Sequence, residues 1–172
     1  MIAQTPWFKR KFPVITDYGQ MPNIIERLKG TIYSLDHKFL HYDPEILRIS
    51  PPDKWSVMEE AGHLLDLEPL WLGRIYDIKN EVEFMREADL TNRKTHEAGH
   101  NSKSTDTIFQ TFKNERSKLL ELLSGLKLMD LEKKSFHPRL KTPMHIIDLA
   151  HFVAEHDDHH LTRMSILAME MK

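Results

Sequence analysis

From Met144 to Met169 apolar residues recur at helical spacing, but the face they make also carries histidine. On a wheel of about 100° per residue, Ile146, Leu149, Val153, Met164 and Leu167 fall within a sector of roughly 60°, with His156 and His160 on or beside it. Asp157 and His159 flank that seam. Three further periodic runs precede it. Ile24, Leu28, Ile32, Leu35 and Phe39 predict a helix from Pro22 to about His41, ended by Asp43-Pro44. Ser56-x-x-Glu59 is a capping-box pattern, and Leu64, Leu67, Leu70, Trp71, Ile75 and Ile78 continue that helix to about Asn80. Ser104-Thr105-Asp106 offers caps for a third helix with Ile108, Phe112, Leu119, Leu120 and Leu123 on its stripe and Gly125 at its stop. Thr142-Pro143 predicts the start of the fourth.

Between these runs the chain is irregular. Residues 1–19 hold Trp7, Phe8, Phe12, Pro13 and Tyr18 without periodicity, an arm that lies on the bundle or on a second subunit. Glu81 to Lys103 is polar and long for a connection within a bundle, and Met129 to Lys141 reads as a linker. These spacings predict an all-α four-helix bundle, one domain over 1–172. A long crossover joins helices 2 and 3, so that the helices do not simply alternate direction.

Bulk properties narrow the chemistry. A chain of 172 residues can bury a real core, and a net charge of −2 with interspersed signs argues against nucleic acid. There is no cysteine, so oxygen and imidazole must supply any metal shell. No stretch resembles a signal segment or approaches the roughly 20 apolar residues of a membrane span, which makes cytoplasmic the expected location.

His156 and His160, one turn apart on a buried face, make half of a metal site. The same wheel aligns His63 with Leu67, Leu70 and Trp71, so antiparallel packing of the two helices would bring three imidazoles together. Three histidines with open positions suit a catalytic ion: zinc or nickel, with manganese or iron as alternatives. Glu60, one turn before His63, could be a fourth ligand, an acceptor for an imidazole N–H, a general base, or a first-turn carboxylate complementing the helix dipole. Arg74, three turns beyond His63, would hold an anionic substrate group or form a salt bridge. The pairs His37/His41 and His96/His100 read as solvent-facing and loop residues. His145 lies too far along its helix from His156 to share an ion, and His151 points outward. The third helix reads as scaffold.

The motifs Trp55-Ser56-x-x-Glu59-x-x-x-His63-Leu64 and His156-Asp157-x-x-His160-Leu161-x-Arg163 resemble the DinB/YfiT-like superfamily of metal-dependent hydrolases. The resemblance runs from about Asn23 to Met169. It implies a small four-helix bundle, His63, His156 and His160 as ligands of one divalent transition metal, a small-molecule substrate and a homodimer. The implied reaction is hydrolysis, with Glu60 or His159 relaying the proton. The family also implies an alternative, a thiol S-transferase using a low-molecular-weight thiol; a third reading, not drawn from the family, is a non-catalytic metal-binding or stress-associated bundle.

Overall fold

Ser56 accepts from the Glu59 N–H and Glu59 accepts from the Ser56 N–H, so the expected capping box forms and starts a long helix. In the computed structural model, which describes residues 3–171, that helix is one of four long ones. They are α1 (Met21–His41), α2 (Val57–Lys79), α4 (Thr105–Ser124) and α6 (Ile146–Glu170), with short α3 (Arg93–Glu97) and α5 (Leu128–Leu131) in the connections. Residues 1, 2 and 172, within the span expected for the domain, lie outside the described residues.

Helix direction follows from the cross-helix bonds. Arg27 of α1 reaches Glu155 and Asp158, Thr31 reaches Asp157, and Lys38 reaches Ser165, so α1 and α6 run the same way. Lys54 pairs with Glu170, Glu60 with His160, and Trp71 packs on Phe152, so α2 runs against α6. Ile108 and Phe112 of α4 share an apolar cluster with Leu35, Met58 and Met164, whereas Leu119 and Leu123 share the other with Leu28, Ile75 and Leu149. Helix α4 therefore runs parallel to α2. Since α1 and α2 each pack along both α4 and α6, they sit diagonally opposite each other. The bundle is up, down, down, up. A chain leaving α2, a helix of 23 residues, must return its whole length, about 35 Å, before α4 begins. This is why residues 80–104 are so long a connection.

Two expectations need correction. Pro143 does not open the last helix. It pairs with Phe136 in a short hairpin of β1 (Lys134–Phe136) and β2 (Pro143–His145), and the helix starts at Ile146 after His145, whose N–H bonds the Asp148 carboxylate at 2.9 Å. Strand pairing and that carboxylate outweigh the Thr-Pro signal. The third helix is also more than scaffold. Its Arg116, with no solvent exposure, sits between the two apolar clusters and ties all four long helices. It bonds Glu68 of α2 at 2.6 and 3.1 Å, Asp157 of α6 at 2.5 and 3.1 Å, and the Leu28 carbonyl of α1 at 3.1 Å. Every N–H of the guanidinium has an acceptor, and Thr31 of α1 donates to Asp157 at 2.7 Å.

One cation here faces two carboxylates. Burial raises the Glu68 carboxyl above its ordinary range against the pull of Arg116. Arg116→Met should therefore lower stability by about 3–5 kcal/mol, because it strands two buried charges. Glu68→Gln, which relieves the excess charge and keeps an acceptor, should cost on the order of 1–2 kcal/mol. Urea denaturation at pH 7 in chelator measures both, and equal losses would refute this account of the charge balance.

Candidate metal centre and the cavity above it

Beside the Arg116 layer, α2 and α6 bring His63, His156 and His160 to one point. All three are buried, and each offers a ring nitrogen within 4.8 Å of the others. The Nε2 atoms of His156 and His160 lie 3.1 Å apart. An ion about 2.1 Å from each of two nitrogens holds them about 3–3.4 Å apart, so this edge fits a metal.

The neighbours of the imidazoles fix which nitrogen is free. His160 Nδ1 lies 2.5 Å from Glu60 Oε2; with Glu60 ionised, the state a cation on His160 would favour, the carboxylate accepts Nδ1–H and leaves Nε2 bare. Thr95 donates its hydroxyl to Asp66 at 3.0 Å and accepts from His63 Nδ1 at 3.1 Å, which frees His63 Nε2. His156 Nδ1 is buried with no hydrogen-bond partner, between the rings of Trp7 and Trp71. Burial keeps all three neutral. His63 is pushed down to about 4, mainly by desolvation, and His156 and His160 well below the usual histidine range. Neutral imidazole is the form a transition metal takes. The donor set fits such an ion on chemistry, charge state and the measured edge.

The carboxylate behind His160 is enclosed. Glu60 has no exposed surface, does not line the cavity, and pairs with Arg163 Nε at 2.7 Å. Burial raises it to about 8 despite Arg163. His159 does line the cavity, is buried with its ring against Trp7, and is pushed down to about 4 by burial, Arg10 and Arg163. Arg10 Nη2 donates to its Nδ1 at 3.3 Å, which leaves the proton on Nε2. Arg74 lines the same cavity, stacks on Trp71 and donates to the Arg86 carbonyl at 3.0 Å. Among the described residues it has no carboxylate partner. His37 and His41 are exposed and stack on each other.

His100, expected in a loop, is instead buried and bonds Asp66 at 2.8 Å, completing a chain from His63 through Thr95 and Asp66. Its ring lies against Gly62, where a Cβ would meet it at 2.2 Å, so only glycine admits this packing. The cavity above the triad has a volume of about 340 Å³, with Trp55, Trp71 and Phe152 among its walls. The two long connections complete it. Residues 87–92 form one side and His137–Arg139, from the hairpin turn, another. The N-terminal segment supplies Trp7, which packs on Phe152 and His156 of its own chain. Sequence reasoning missed Thr95, Asp66, His137 and Arg139, since none shares the apolar periodicity of the histidines.

A four-helix bundle with an enclosed histidine triad opening into a cavity defines the class, and the comparisons give it a name. The chain belongs to the DinB superfamily, whose model matches residues 26–164. Among solved structures it is similar to YfiT from Bacillus subtilis, described as a probable metal-dependent hydrolase with an unusual four-helix bundle topology. Identity is 16%, coverage 94% of this chain and 93% of that one, and TM-score 0.82. A DinB-like protein from Bacillus cereus matches at 17% identity, covering 89% and 91%, with TM-score 0.62. A mycothiol-dependent maleylpyruvate isomerase matches at 7% identity, covering 92% of this chain and 62% of its own, with TM-score 0.66. No curated protein matches the chain.

Thr95→Val removes the acceptor that orients His63, and metal affinity should fall roughly 10–100-fold with the fold intact. Competition against a chromophoric chelator measures this. The Glu60 shift carries a sign. The group titrates near 4.5 when unfolded and at about 8 when folded. In metal-free protein its stabilising contribution is therefore full below pH 4.5 and is lost as pH rises through 8. Glu60→Gln should gain stability relative to wild type between pH 5 and 8, read from paired urea titrations in chelator. A pH-independent difference would refute the assignment.

Proposed function

We propose that the protein is a metal-dependent hydrolase of a small molecule, with His63, His156 and His160 holding one divalent transition ion at the floor of the cavity. Zinc or nickel suits three neutral imidazoles best. The observation that carries the reading is the union of three buried, neutral, oriented imidazoles with a cavity large enough for a small substrate. When bound, such an ion supplies Lewis acidity and lowers the pKa of water. The overall reaction adds water across the scissile bond, hydroxyl to the carbonyl or phosphoryl centre and proton to the leaving group.

The residues of the chain then divide the work. Glu60 is a positioning residue: ionised when a cation is held beside it, it would accept the His160 Nδ1–H and balance charge, with Arg163 at its other oxygen. His159 is neutral and presents Nε2–H, so its part is to donate a hydrogen bond to an oxygen gaining negative charge rather than to take a proton. Trp7, Trp71 and Phe152 keep the floor dry, which strengthens both effects.

A second reading, a metal-dependent thiol S-transferase, draws support from the arginines that line the cavity. There the metal's role would be to ionise the thiol of a low-molecular-weight cofactor. One experiment orders the readings. Elemental analysis of untagged wild type should find about one equivalent of metal, and His156→Ala should lose it. Loaded wild type should then hydrolyse members of an ester and amide panel at a rate that His156→Ala lacks. Turnover that requires an added thiol and yields its conjugate would favour the transferase. Wild type that stays metal-free after reconstitution with zinc, nickel and manganese would sink both, leaving the non-catalytic bundle.

A further inference from the structure

The cavity wall also carries two guanidinium groups, Arg74 and Arg139, that pair with no carboxylate among the described residues. Arg74 is only 2% exposed. Its Nε donates to the Arg86 carbonyl, and its Nη1 faces His137 Nε2 at 3.3 Å. Arg139 stacks on Phe8, and its Nη2 is buried with no hydrogen-bond partner. Asp77, the carboxylate whose charge acts on Arg74, is taken by three bonds from Arg86. Glu87 and Asp89 also line the cavity, but both are exposed at its edge, and Asp89 is occupied by Thr91 and the Arg93 N–H.

His137, between the two arginines, sharpens the imbalance. Its Nδ1 faces the N–H groups of Arg139 and Leu140, each at 3.2 Å, while its Nε2 faces Arg74. A neutral imidazole has one acceptor nitrogen and a protonated one has none. Donors on both sides of the ring therefore outnumber the lone pairs available. Burial and the two arginines push His137 down to about 3, and burial with Arg139 and Arg86 outweighs Asp77 in lowering Arg74 to about 10. Buried donors in excess, with net positive charge, are the complement of an anion.

We propose that Arg74, Arg139 and His137 form an anion subsite, which binds the carboxylate or phosphonate-type group of a substrate whose apolar body lies against the aromatic walls of the cavity. The inference deepens the metal-dependent reading and rests on it only for the word substrate. The metal floor takes the reacting end, and the arginine wall selects for negative charge at the other. Neutral esters and amides would then be poor substrates, and anionic ones preferred.

The test is binding, so that its outcome does not depend on turnover. Calorimetry compares benzoate, phenylphosphonate and neutral benzamide on as-purified wild type, Arg139→Gln, Arg74→Gln and His156→Ala. We expect either anion to bind at least about tenfold tighter than benzamide, the value of one charge-assisted hydrogen bond. That preference should vanish in Arg139→Gln, which is only partly buried and should fold even if Arg74→Gln does not, and should persist in His156→Ala. Whichever anion binds tighter identifies carboxylate or phosphonate chemistry. Equal binding of benzamide, no binding of either anion at millimolar concentration, or a preference that survives in the folded arginine variants would overturn the subsite. So would a preference lost in His156→Ala and kept in Arg139→Gln, which would place the anion on the metal. Protein that stays metal-free after reconstitution but keeps the anion preference would instead defeat the metal-dependent readings and leave the subsite standing.

Discussion

The fold is held in register by one buried cation. Arg116 projects from α4 into the plane between two apolar clusters and spends all five of its N–H groups on α1, α2 and α6. Apolar clusters above and below that plane supply most of the favourable burial, but they are non-directional, and leucine and isoleucine faces tolerate some rotation and sliding. A guanidinium bonded to two carboxylates does not, since rotating or sliding a helix leaves buried charged and polar groups without their partners. The clasp thus selects one rotation of each helix from those the apolar faces would allow.

That selection is what makes the histidine triad. Asp157 follows His156 directly, and His160 lies one turn on, so fixing the Asp157 carboxylate fixes the face of α6 on which both imidazoles stand. Glu68 does the same for α2, which carries His63 and Glu60. The parallel run of α1 and α6 brings Thr31 onto Asp157, and the antiparallel run of α2 against α6 sets His63 opposite His156. Stability and site geometry share their residues here, so stability data and metal affinity should be read together rather than as separate properties.

Much of this was legible in the sequence, and the boundary is physical. Long helices with one apolar stripe declare themselves by period, and three histidines interrupting such stripes declare a buried site. Arg116 was legible too and was passed over. It stands four residues after Phe112 and three before Leu119, on the stripe itself, as Glu68 stands between Leu64 and Trp71. Charge on a stripe means pairing, but nothing in one helix names the partner in another. The hairpin at 134–145 and the seating of His100 on Gly62 were not legible, because three-residue strands and a close ring-to-backbone approach leave no periodic trace. The same holds for Arg139. It is polar, in a turn, and its role comes from what the turn is placed beside.

The division between helices and connections has a chemical logic. The rigid part, α2 and α6, carries the metal-binding nitrogens, whose spacing must hold to fractions of an ångström. The other walls of the cavity come from residues 87–92, the hairpin turn and the N-terminal segment. Met85 N–H to the Phe136 carbonyl and Phe136 N–H to the Glu83 carbonyl tie the two connections to each other. The up-down-down-up order makes this possible. A parallel α2 and α4 force a long return chain over the bundle; its Thr95 and His100 are seated on α2, while its residues 87–92 face the cavity. A change in the charge of this wall would alter which molecule is admitted while leaving the floor untouched.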